Sequence, residues 1–206
     1  MNRSARTSLT LACFVAVIFS GSPHLGHATS TETSPNTPSG TFSWKLGSWT
    51  LGVPTVSDTA YIFAGTVEVD GSVSVGRLRF SNGSLVGATD SASDSLFLEG
   101  TGIDSRWTGG SLSSLTLVVN SAAGLEIEHT GTASLSAALL DIRGDAYWND
   151  GNINLNSSST IDISGSFFDL GAGTRSISGS GSGSITIQST GEFVKGSAGT
   201  TSLNRP

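Results

Sequence analysis

The sequence predicts an all-β chain wound as a right-handed parallel β-helix, a solenoid with coils of roughly 20 residues. Three observations predict it. From residue 61 onward apolar residues recur with period two, interrupted by Gly, Asn, Asp and Ser. The short segments this defines follow one another at near-regular spacing, as stacked coils require. One frame also occurs twice: "RWTGGSL" (106–112) and "YWNDGNI" (147–153) each read Trp, two residues, Gly, one residue, aliphatic, with Trp107 and Trp148 41 positions apart.

The chain opens with a predicted secretory signal peptide over residues 1–28. Arg3 and Arg6 form its basic region, Leu9–Phe19 its apolar run, and Gly26-His27-Ala28 a small-residue cleavage site. The apolar run is too short to cross a bilayer comfortably, although an uncleaved N-terminal anchor is the competing reading. Residues 29–40, "TSTETSPNTPSG", are rich in Thr, Ser and Pro and read as a disordered linker. The solenoid is expected over 41–206.

Within it, alternation predicts inward-facing pairs at Val67/Val69, Val73/Val75, Leu78/Phe80, Leu96/Leu98, Leu115/Leu117/Val119, Leu125/Ile127, Leu140/Ile142, Ile153/Leu155, Ile161/Ile163 and Ile185/Ile187. The stretch "TASLSAALLDI" (132–142) is ambiguous between helix and strand, and its strand-like flanks decide for strand. The turn pairs Asp70-Gly71, Asn82-Gly83 and Asp150-Gly151 leave an antiparallel β-sandwich as the alternative architecture. Repetition favours the solenoid: Leu78, Leu96 and Leu115 are spaced as if on successive coils, and a corner at every coil edge explains why Gly, Ser and Thr make up about two-fifths of the chain. Seven or eight coils at ~4.8 Å each would give a rod of roughly 35–40 Å.

The entry segment "WKLGSWTLGVPTVSDTAYI" (44–62) carries Trp44, Trp49, Pro54, Asp58, Ala60 and Ile62 in a recognisable order. With the Trp-x-x-Gly units and the tail "GEFVKGSAGTTSLN" (191–204), it resembles exported bacterial β-strand-repeat proteins of the autotransporter-passenger and pectate-lyase-like type. The resemblance covers most of 44–204 and implies a parallel β-helix on a secreted or cell-surface protein with a structural or adhesive role. Proteins of that type are longer and end in a membrane barrel, a sorting signal or another anchor. That leaves open a C-terminal truncation of the solenoid.

Composition excludes several chemistries. Beyond the signal peptide the chain has no cysteine, so disulfides, thiol catalysis and Cys-ligated zinc are ruled out there. His129 is the single histidine left, which excludes His-pair metal motifs. Without Arg3 and Arg6, eight Lys/Arg face sixteen Asp/Glu, a net charge of −8 that disfavours nucleic acid and anionic membranes. No membrane insertion is expected of the mature chain.

Candidate sites are few. Trp107 and Trp148, with Asp150 beside the second, mark corners that could stack on a glycan or serve structure alone; both continue into an apolar strand position, which favours structure. Asp141, Asp145, Asp150, Asp162 and Asp169 lie within 29 residues, and folding could set two in register on adjacent coils. Such a pair could serve a polysaccharide lyase or hydrolase, the alternative function, or hold Ca²⁺ with backbone carbonyls. The Gly-Gly-x-Gly-x-Asp calcium repeat is missing, and solvated rim carboxylates are the expectation. In "LEIEHTG", alternation turns Leu125, Ile127 and His129 to one face and Glu126 and Glu128 to the other; no Gly-x-Ser-x-Gly elbow supplies His129 with a nucleophile. The glycines of "SISGSGSGSITI" (176–187) precede a strand rather than a helix, so they read as a corner and not a phosphate loop. Asn82 and Asn156 sit in formal glycosylation sequons. An ice- or crystal-face binder would need Ser or Thr in straight ranks, and the irregular Thr spacing argues against it. No catalytic residue, cofactor site or metal site is assigned; a glycan or surface ligand is the expected partner.

Overall fold

The computed structural model describes residues 31–32, 40–46, 49, 52–88 and 93–204. The proposed signal peptide and most of the proposed linker lie outside the described residues, although Thr31–Glu32 pairs with Ala60 and Tyr61. Among the described residues the regular structure is strand, and every ladder is parallel. Parallel neighbours need a full circuit between them, so the antiparallel sandwich is overturned and the chain is a parallel β-helix. "TASLSAALLDI" is strand throughout, apart from one corner at 137–138.

The coils have three faces. The first stacks Thr59–Ile62, Arg77–Phe80, Gly102–Trp107, the opening halves of Ala123–Ser136 and Asp145–Asn156, then Ser166–Asp169 and Glu192–Lys195. The second stacks Thr41–Ser43, Thr66–Val69, Ser84–Gly87, Ser111–Ser113, the closing halves of the two long strands, Thr174–Ser178 and Thr200–Leu203. The third stacks Ser72–Val75, Ser95–Leu98, Thr116–Val119, Leu139–Ile142, Thr160–Ile163 and Ser184–Ile187. This makes about seven coils.

Register turns the period-two pattern into core columns. On the third face Val73, Leu96, Leu117, Leu140, Ile161 and Ile185 lie one above another, and Val75, Leu98, Val119, Ile142, Ile163 and Ile187 form the second column. Most are buried. Val73 and Ile185 are partly buried, and Ile187 is 51% exposed, because no described third-face strand stacks beyond it.

Leu78, Leu96 and Leu115 are not counterparts on successive coils. Leu78 is on the first face and Leu96 on the third face of the same coil, and the in-register partner of Leu96 is Leu117, not Leu115. The 18- and 19-residue intervals therefore compare different faces. True coil lengths vary: 18 positions separate Val67 from Leu85, and 27 separate Phe80 from Trp107. Corners absorb the difference while the ladders stay aligned.

Two of the proposed turn pairs lie in the corner between the first and second faces. Gly65, Gly83, Gly110 and Gly151 occupy this corner on different coils, all with positive φ. At Gly83 a Cβ would sit 2.3 Å from the Gly65 carbonyl oxygen, and at Gly151 2.2 Å from that of His129, so neither the conformation nor the space admits a side chain. Near the N-terminal end, the Trp49 indole donates to the Trp44 carbonyl at 2.8 Å and the two rings meet edge to face. Asp58 accepts from the Thr55 amide and hydroxyl at 2.8 and 2.7 Å, which closes the turn carrying Pro54.

Leu140 is fully buried between Leu117 and Ile161. Leu140→Ala should therefore cost about 2–5 kcal/mol in denaturant unfolding, the usual range for emptying a core site.

Candidate functional site

Trp107 and Trp148 occupy one inward column of the first face, running Ile62, Phe80, Trp107, Ile127, Trp148, Asp169 and Lys195. They stand two coils apart with Ile127 between them, and both are fully buried. Each is followed by its corner glycine, and the same frame recurs as Ile62-x-x-Gly65 and Phe80-x-x-Gly83. Those two copies are hidden in the sequence because tryptophan is replaced by another bulky apolar residue. The Trp148 indole donates to the carbonyls of Asp150 and Gly151 at 3.1 and 3.0 Å, tying the ring to its own corner. Asp150 is exposed, and its carboxylate accepts from the Gly151 amide at 2.7 Å. A ring with no exposed face offers no stacking platform to a sugar, so these tryptophans act here as packing.

His129 ends the inward run Leu125, Ile127, His129, as alternation requires, with Glu126 and Glu128 outward. It is 6% exposed, its ring meets Trp107 edge to face at 5.5 Å, and its Nε2 has no hydrogen-bond partner. Burial pushes the imidazole below its ordinary value of 6.5.

The acidic group is dispersed over the coils. Asp141 and Asp162 do fall in register on adjacent coils of the third face. Each has its own neighbour: Arg143 pairs with Asp141 at 2.7 Å and Gln188 donates to Asp162 at 2.7 Å. Asp145 accepts from the Tyr147 hydroxyl at 3.2 Å. Asp169 departs from the solvated-rim expectation, since it is fully buried among Arg175, Lys195 and Thr201. Its alternation with Phe167 across "SFFDL" is the signal that would have placed it inside.

Two outer features were missed in the sequence. A groove of about 600 Å³ follows the corner between the second and third faces, bounded by Ser114, Thr116, Ser157, Thr160, Asp162 and Thr186. A cleft of about 250 Å³ on the first face is lined by Tyr61, Phe63, Arg79 and Arg106. Below it Arg106 divides itself between Glu126 at 2.7 Å and Glu128 at 3.4 Å, and the bond to Glu126 raises the arginine pKa further. No signal of period two marks either feature, because both assemble from residues on several coils.

The second face carries a straight outward rank: Thr41, Thr66, Ser84, Ser111, Ser134, Asn154 and Ser178. The objection from Thr spacing fails, since register aligns these residues despite unequal coil lengths. Ser84 and Ser111 hydroxyls lie 3.1 Å apart, and the Asn156 amide reaches Ser134 at 3.5 Å. Asn156, one of the two sequon residues, also accepts from the Ser180 hydroxyl at 3.0 Å.

No family model matches the chain, and neither the curated proteins nor the solved structures yield a match. Among the described residues no group of three or more His, Cys, Asp or Glu is placed to hold a metal ion.

Two outcomes follow from this geometry. Trp148→Ala should lower unfolding stability by about 3–5 kcal/mol in denaturant titration; unchanged stability with lost ligand binding would return the ring to a recognition role. A histidine whose folded pKa lies below its unfolded one stabilises fully above pH ~6.5 and loses that contribution as pH falls. His129→Gln should therefore flatten the acid side of the stability–pH curve below pH ~6.5.

Proposed function

We propose that this chain is an exported, non-enzymatic β-solenoid serving as a structural or adhesive segment of a secreted or cell-surface protein. The observation that carries this reading is the second-face rank of seven uncharged hydroxyl and amide side chains, one per coil. Its repeat of ~4.8 Å follows from strand spacing. Hydroxyls and amides donate and accept without demanding a counter-charge, so the rank suits an uncharged, hydroxylated partner such as a neutral glycan. The resemblance to autotransporter-passenger and pectate-lyase-like proteins supports the same reading, as does the predicted signal peptide. Rigidity is part of the function: a stack of coils holds the rank straight, and each partner group then meets an already ordered surface.

The competing reading is a polysaccharide lyase or hydrolase, which the first-face cleft favours because Arg106, on its lining with Arg79, also meets Glu126 and Glu128. A hydrolytic pair needs two carboxyl groups in contrasting environments, one of them protonated. Here a single arginine engages both, which supports a charge-paired surface over an acid–base pair.

A screen against soluble and insoluble polysaccharides tests the proposal. Binding to a neutral glycan without chain cleavage, weakened about tenfold or more by Ser111→Lys with Ser134→Lys and unmoved by Glu126→Gln, is the expected result. Cleavage of any chain that disappears in Glu126→Gln would replace adhesion with catalysis.

A further inference from the structure

The inward column of the first face changes character at its C-terminal end. Where the preceding coils place Phe80, Trp107, Ile127 and Trp148, the next two place Asp169 and Lys195. Asp169 is fully buried and Arg175 is 5% exposed. The Asp169 carboxylate pairs with Arg175, pairs with Lys195 at 3.3 Å and accepts from the Thr201 hydroxyl. Arg175 belongs to the same coil as Asp169: it donates to the carbonyls of Gly171 at 2.9 Å and Trp148 at 3.1 Å, and lies over the Trp148 ring at 4.7 Å. Lys195 and Thr201 belong to the next coil, and Lys195 also donates to Ser197 at 2.9 Å.

That coil, residues 192–204, pairs with the coil beneath it through Glu192–Lys195 and Thr200–Leu203. Among the described residues it has ladders on the first and second faces and none on the third. Its apolar anchorage is modest: Phe193 stacks on Phe167 at 5.2 Å, but Leu203 is 58% exposed. A single carboxylate holds two cations, one from each coil, so the ionic contact adds to the two ladders that join them.

We propose that Asp169 is a latch that fastens residues 192–204 to the coil beneath, and that removing its charge releases this strap as a unit while the preceding coils stay folded. Without the carboxylate, Arg175 is left as a buried cation with no counter-charge and the exposed Lys195 beside it, and lifting the strap rehydrates Arg175. Opening in cooperative local units is ordinary for a stacked array, whose coils touch only their neighbours. Release bares the edges of Ser166–Asp169 and Thr174–Ser178 as templates for another strand. The other ionisable groups at the site are Arg175 and Lys195, with the Asp150 charge acting on Arg175 from the corner and Glu192 on the strap's own strand.

Amide hydrogen exchange on the full chain at fixed pH tests the latch with two variants. In Asp169→Asn the amides of 192–203 should exchange about tenfold faster or more, while those of 116–163 keep wild-type protection. Asp169→Leu with Arg175→Met and Lys195→Met removes all three charges and should restore protection of the strap, because apolar replacements can substitute for a buried ion set. Unchanged protection in Asp169→Asn overturns the proposal. So does an equal loss along the whole chain, or a triple variant as loose as Asp169→Asn.

Discussion

The structure depends on the in-register parallel ladder between successive coils. Apart from shifts within the long strand Ala123–Ser136, each strand meets its counterpart without offset, so a residue at a given place in one coil lies directly on the residue at that place in the next. Likeness in sequence becomes contact in space: leucine packs on leucine along the third face, hydroxyl on hydroxyl along the second, and bulky ring on bulky ring along the first. A one-residue slip would exchange the inner and outer sets on that strand, turning serines into the core and isoleucines into water. The ladder and the apolar columns therefore enforce one another.

Corners make this alignment tolerant of variable length. The circuit from Phe80 to Trp107 is half as long again as that from Val67 to Leu85, yet both return to register. The cost is carried by a few fixed points, above all the glycine that follows the bulky inward residue on the first face. At that point the chain turns against the carbonyl of the coil below. Trp148 adds a second fastening by donating to its own corner, whereas Trp107, whose Nε1 has no hydrogen-bond partner, contributes by packing alone. Asp58 does comparable work where Pro54 leads into the first full coil.

Much of this was legible in the chain. Period-two alternation located the inward residues, and the repeated Trp-x-x-Gly frame gave the two-coil separation of Trp107 and Trp148, because both signals are local and survive changes in coil length. The coil-to-coil spacing read from Leu78, Leu96 and Leu115 was mistaken, since three faces of similar apolar pattern cannot be told apart by interval alone. The straight second-face rank was hidden for the same reason: its members are separated by unequal numbers of residues. Asp169 shows a different limit. Its inward position follows from alternation, but what makes burial of that charge tolerable are partners six, 26 and 32 residues away, brought together only by the stacking.

Distance along the molecule counts coils and not residues. Pulsed electron–electron double resonance tests it with spin labels on cysteines introduced in pairs, in a Cys13→Ser background. With one label at position 66 and the second at 134, 154 or 178, the partners are three, four and five steps along the same rank. The predicted separations between backbone attachment points rise evenly, about 14, 19 and 24 Å, at ~4.8 Å per step. Separations that fail to increase from 134 to 154 to 178, or that change by unequal steps, would contradict the stacked solenoid.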